Sequence, residues 1–121
     1  MPGPLVLVVD DNTRNLKLAL DVLTAAGLRT LGAASGTEAI ALAEEHLPDV
    51  ILMDLRLPDM DGDEAARKLA AGQRTSGIPV VAFSSLKLED DWCLEAGFAG
   101  YLEKPIDVDA FPAQVRRYCT G

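Results

Sequence analysis

Residues 5–12 read LVLVVDDN. Leu5 to Val9 are all apolar, with none of the alternation that a half-exposed strand shows. A strand covered on both faces reads this way, and such strands belong to parallel sheets packed between helices. The run ends at two adjacent carboxylates, Asp10 and Asp11. Why a buried strand should deliver two like charges to one point is the question this stretch poses.

Working outward, four more short runs have strand character: Arg29–Ala33, Val50–Met53, Ile78–Phe83 and Gly100–Leu102. Of these, RTLGAA at 29–34 has the least β-propensity. Helical patterns fill the intervals. In NTRNLKLALDVLTAAG (12–27), Leu16, Ala19, Leu20, Leu23 and Ala26 share a face, and Gly27 stops the helix. In SGTEAIALAEEH (35–46), Ser35 and Glu38 have capping-box spacing, ahead of a stripe of Ala39, Ile40, Ala43 and Leu47. GDEAARKLAAG (62–72), LKLEDDWCLEAG (86–97) and DVDAFPAQVRRYC (107–119) complete the set, the first two closed by Gly72 and Gly97. Repeated strand–helix alternation predicts an α/β fold: a doubly wound parallel sheet of five strands with five helices on its two faces.

The length of 121 residues suits one domain over residues 1–121, with no linker or repeat. Apolar residues make up 49% and charged residues 25%, enough to bury a core without disulfides. The net charge of −8, with no Lys/Arg cluster, argues against direct nucleic-acid binding. Cys93 and Cys119 lack metal-ligand spacing and read as reduced thiols. The segment MPGP and the short run after it are too brief for a signal sequence or membrane insertion, so the expected location is cytoplasmic.

The polar residues gather at strand ends. The first strand ends at Asp10 and Asp11, the third at Asp54, the fourth at Ser84 and Ser85, and the fifth at Lys104 and Pro105. In a parallel sheet these carboxyl ends share one rim, where open α/β sheets bind their ligands. Taken singly, each has a plainer explanation; Asp10, Asp11, Asn12 or Thr13 could cap the first helix. Together they point to a site. Two carboxylates about 4 Å apart repel by about 4 kcal/mol at an effective dielectric near 20. Oxygen-only ligands favour a hard cation, and Mg²⁺ is the candidate, because it keeps waters and recruits phosphate oxygens. His46, at the far end of the second helix, reads as a partner of the helix dipole. An Asp beside Mg²⁺, Lys104 and the Ser84 hydroxyl has the groups that phosphoryl transfer needs.

VLVVDDN (6–12), PDVILMDLRLPDMDG (48–62), IPVVAFSS (78–85), Ala96–Gly97 and YLEKPID (101–107) occur in this order. With these signatures, the chain resembles the receiver domain of bacterial two-component response regulators over nearly its whole length. The resemblance implies the flavodoxin-like receiver fold with strand order 2-1-3-4-5. It implies a phosphoacceptor, Asp54, loaded by a histidine kinase or phosphotransfer protein. Mg²⁺ would be held by Asp10, Asp11, Asp54 and the backbone carbonyl of Arg56. Ser84 and Tyr101 would form the switch, and Lys104 would precede a cis bond to Pro105. Arg56 and Leu86 match positions that tune dephosphorylation. The implied protein is a signalling switch rather than an enzyme, a monomer or weak dimer that controls a downstream protein target. An aspartate-nucleophile phosphatase on a similar fold would instead carry D-x-D after its first strand.

Three features depart from the family pattern. Ser85 stands where Ala is common. The interval from Ser84 to Gly97 is short, which predicts an abbreviated or rotated fourth helix, with Trp92 partly buried against the sheet or anchoring a partner. Pro112 falls inside the fifth helix, which should therefore start late, with Asp109 as N-cap and Pro112 in the first turn.

Overall fold

The computed structural model describes residues 3–85 and 88–119. The elements run β1 (Leu5–Val9), α1 (Thr13–Ala25), β2 (Arg29–Ala33), α2 (Gly36–His46), β3 (Val50–Asp54), α3 (Gly62–Ala71), β4 (Val80–Ser84), α4 (Asp90–Glu95), β5 (Gly100–Glu103) and α5 (Phe111–Tyr118). All strand pairs are parallel, in the order β2-β1-β3-β4-β5. Among the described residues no helix is long and apolar enough to cross a membrane.

The uniform apolar run of β1 is explained by its two neighbours and two covered faces. Leu7 and Val9 point into a core with Ala39 and Ala43 of α2, Ala65 and Leu69 of α3, and Cys93 of α4. Val6 and Val8 point the other way, among Ala19 and Leu23 of α1 and Phe111 and Val115 of α5. Each residue from Val6 to Val9 is fully buried. At about 1.5–3 kcal/mol for each large apolar side chain, burial of this strand and of β3 beside it fixes the register of the sheet. That register pairs Val9 with Met53 and Asp54 with Phe83, so Asp10 and Asp54 emerge side by side.

Helix boundaries follow local chemistry. Gly27, at φ 92°, supplies the left-handed residue just past the end of α1. Ser35 caps α2 through a 3.1 Å bond from the Glu38 amide, and the Glu38 carboxylate accepts from Ala34 N at 3.0 Å. Leu47 does not join the apolar stripe of α2. It is the C-cap residue, left-handed at φ 48° and 44% exposed.

β4 begins at Val80 rather than Ile78, because Pro79 has no N–H to give a sheet. β3, β4 and β5 each extend one residue beyond the expected end, to Asp54, Ser84 and Glu103. The fourth helix is short, at six residues. Trp92 is 42% exposed, and its ring stacks on Phe98 at 6.1 Å.

The fifth helix starts late and keeps Pro112 in its first turn, but its N-cap is Ala110, not Asp109. Asp107 does the capping: its Oδ1 accepts from Asp109 N at 3.0 Å and Ala110 N at 3.3 Å. An aspartate bonded to the amide two residues on closes an Asx turn, and that turn leads into the helix.

Candidate functional site

The carboxyl ends of β1, β3, β4 and β5 surround a cleft of about 470 Å³, lined in part by Asp10, Asp11, Asp54, Ser84 and Lys104. The sheet aims Asp10: its amide extends the ladder by donating to Ala33 O at 3.0 Å. Only 1% of the residue is exposed. Oδ1 of Asp10 accepts from Asn12 N at 2.9 Å. Oδ2 is buried and has no hydrogen-bond partner among the described residues. Its charge is met by Lys104 Nζ, an ion pair at 2.6 Å.

Asn12 is the cap of α1, its side chain accepting from Asn15 N at 3.1 Å. Capping therefore falls to the amide and leaves the Asp11 carboxylate to the mouth of the cleft. Asp54 ends β3 with its side chain 15% exposed. Its Oδ1 accepts from Arg56 N at 3.3 Å, and its Oδ2 lies 3.3 Å from Lys104 Nζ. Burial raises the Asp54 carboxyl above its ordinary range; Lys104 and the Arg56 amide pull it down, and Asp10 adds to the rise.

Lys104 thus bridges two carboxylates on neighbouring strands. Its amide donates to Ser84 O at 2.8 Å, its Nζ sits 4.8 Å from the centre of the Phe83 ring, and its bond to Pro105 is cis. Ser84 is buried at the end of β4, and Ser85 is exposed beside it at the cleft.

Oxygens of Asp10, Asp11 and Asp54 lie within 4.8 Å of one another. Three carboxylates that converge their oxygens this closely, with one ammonium among them, fit a hard divalent cation. Arg56 lines the same cleft, its side chain exposed.

Tyr101 is not part of this cleft. It is half-buried on β5, opposite Ala82, and borders a separate groove of about 700 Å³ between α4, β5 and α5. Leu86 lies outside the described residues.

Sequence reasoning did not single out Asn15, which lines the cleft, or Phe83, whose ring lies beneath the Lys104 ammonium. It also passed over Asp59. That carboxylate accepts from Gly36 N at 2.8 Å, Thr37 N at 2.8 Å and the Thr37 hydroxyl at 2.6 Å. These three bonds hold the Asp59 carboxyl down at about 2. The position of an Asp inside LPDMDG was the only local signal, since its partners lie more than twenty residues away.

Comparison with known proteins agrees with this geometry. The family model for the response regulator receiver domain matches residues 6–116. The polar-differentiation response regulator DivK of Brucella ovis is 37% identical over 115 residues, spanning 93% of this chain and 94% of that protein. Among solved structures, the chemotaxis protein CheY4 of Vibrio cholerae superposes with a TM-score of 0.88 at 25% identity, covering 96% of this chain and 98% of that one. The receiver domain of a sensor histidine kinase from Pseudomonas aeruginosa gives a TM-score of 0.86 at 34% identity, covering 96% of this chain and 97% of its own; that structure has a magnesium ion in its active-site cleft. Strand order, strand-end residues and sequence similarity all lead to one conclusion: the chain belongs to the response regulator receiver domain family.

Proposed function

We propose that this chain takes a phosphoryl group onto Asp54 from a histidine kinase or phosphotransfer protein, and thereby controls the binding of a downstream protein in the cytoplasm. The observation that carries this reading is the Lys104 ammonium lodged between Asp10 and Asp54. It places positive charge where an incoming phosphoryl group would gather negative charge.

Asp10, Asp11, Asp54 and the Arg56 carbonyl would hold Mg²⁺. Once bound, the ion supplies a Lewis acid for the phosphoryl oxygens and screens the carboxylates from one another. Asp54 then acts as nucleophile: its oxygen bonds to phosphorus as the donor's N–P bond breaks, leaving an aspartyl phosphate. Lys104 neutralises charge on the phosphoryl oxygens. Ser84, at the end of the adjacent strand, donates its hydroxyl to one of them. Tyr101 lies two residues along β5 from Glu103, the register partner of Ser84, so a shift at the end of β4 has a short path to the groove that Tyr101 borders.

The reading is tested by incubation with acetyl phosphate and Mg²⁺, followed by intact mass. One hydroxylamine-labile phosphoryl group is expected, absent with EDTA and absent in Asp54→Asn. Persistent labelling of Asp54→Asn would refute the assignment.

A further inference from the structure

Asp59 lies outside the cleft, yet its carboxylate ties the turn after β3 to the first turn of α2. The first turn of α2 has three amides without intrahelical partners to satisfy. Ser35 takes that of Glu38, and Asp59 takes those of Gly36 and Thr37. Asp59 sits at the tip of the turn that follows β3. Within that turn Arg56 bridges Asp61, Leu57 N donates to Met60 O at 3.2 Å, and Gly62 N donates to Leu55 O at 2.7 Å. Arg56, Pro58, Asp59 and Asp61 are exposed, while Leu55, Leu57 and Met60 pack against the core. On the α2 side the turn is held by the Asp59 carboxylate and by the half-buried Met60, which packs against Gly36. The far side of the tie is rigid, because α2 is anchored in the core through Ala39 and Ala43.

We infer that Asp59 is a positioning residue: by fastening the turn to the start of α2, it holds the Arg56 main chain in place beside Asp54 for a divalent cation. This rests on the proposed reading of the cleft, in which the Arg56 carbonyl is a ligand. A backbone ligand has no rotamer with which to correct its position, so its placement depends wholly on restraint of the chain on either side. Loss of a supporting contact typically costs about 10–100-fold in metal affinity. A role confined to capping α2 would make a different prediction, and Ser35 separates the two. Ser35→Ala removes a cap from the same helix turn without touching the turn after β3.

The test is Mg²⁺ titration by calorimetry on the wild type, Asp59→Ala, Asp59→Asn and Ser35→Ala. Amide hydrogen exchange of residues 55–61 is measured in metal-free buffer alongside. Asp59→Ala should raise the Mg²⁺ dissociation constant about tenfold, the low end of what supporting partners contribute, and speed exchange at Arg56 and Leu57. Asp59→Asn, which keeps one acceptor, should fall between. Ser35→Ala should lower the melting temperature and leave the dissociation constant unchanged. Equal Mg²⁺ affinity in Asp59→Ala and wild type overturns the positioning role alone, as does an equal loss in Ser35→Ala. A wild type that binds no Mg²⁺ overturns the reading of the cleft and the positioning role with it.

Discussion

The Lys104 ammonium lies 2.6 Å from Oδ2 of Asp10, with the two side chains 11% and 1% exposed. Removing one partner of so buried a pair strands the other charge, which typically costs about 3–5 kcal/mol. Lys104→Met should therefore destabilise the metal-free protein by about 3 kcal/mol in urea unfolding. Millimolar Mg²⁺ should recover part of that loss, because a cation restores a counter-charge to Asp10. A loss below about 1 kcal/mol would class the pair with solvent-exposed ones.

Asp54 makes stability depend on pH, with a sign that can be worked out. Its carboxyl titrates near 3.8 when unfolded and higher when folded, chiefly through burial. Between those values the folded chain binds more protons, so stability falls as pH rises through the folded value. Asp54→Asn removes this penalty. In EDTA at neutral pH the variant should melt above the wild type, with a flatter profile as pH rises above about 4. Mg²⁺ should narrow the gap by stabilising the wild type. A lower melting temperature for Asp54→Asn in EDTA would contradict the sign.

Gly62 admits no side chain. A Cβ there would collide with the Asp54 carbonyl oxygen and stand 2.9 Å from Leu55 Cα, both backbone atoms. Gly62→Ala should cost about 2–3 kcal/mol as overpacking. Because the displaced strand end carries Asp54, labelling by acetyl phosphate should also slow at temperatures where the variant is fully folded. Normal labelling in a folded variant would show that the end of β3 can shift without consequence for Asp54.

The sheet was legible because its signal is the crudest one available. Apolar runs as short as Leu5–Val9 and Val50–Met53, rich in β-branched residues, suit a strand covered on both faces better than a buried helix. Even the weak RTLGAA stretch forms β2 at the expected bounds, because pairing with β1 outweighs its own propensity. The strand-end residues were legible for the same reason, since strand order alone gathers them on one rim. Local geometry was harder to read. Asp107 and Asp109 are equally plausible caps in one dimension, and only the Asx turn that Asp107 closes separates them. Leu47 fits the period of α2 but falls where the helix ends. Asp59 was invisible because its partners are brought near by the fold and by nothing in the spacing.

The cap on α1 has an arithmetic consequence. Three carboxylates and the Lys104 ammonium leave two negative charges at the centre of the cleft, with the exposed Arg56 side chain at its edge. An aspartate could have capped the helix as well as Asn12 does, by the same bond to Asn15 N. It would have made the deficit three. By capping with a neutral amide, the chain keeps a fourth negative charge away from the three carboxylates of the cleft.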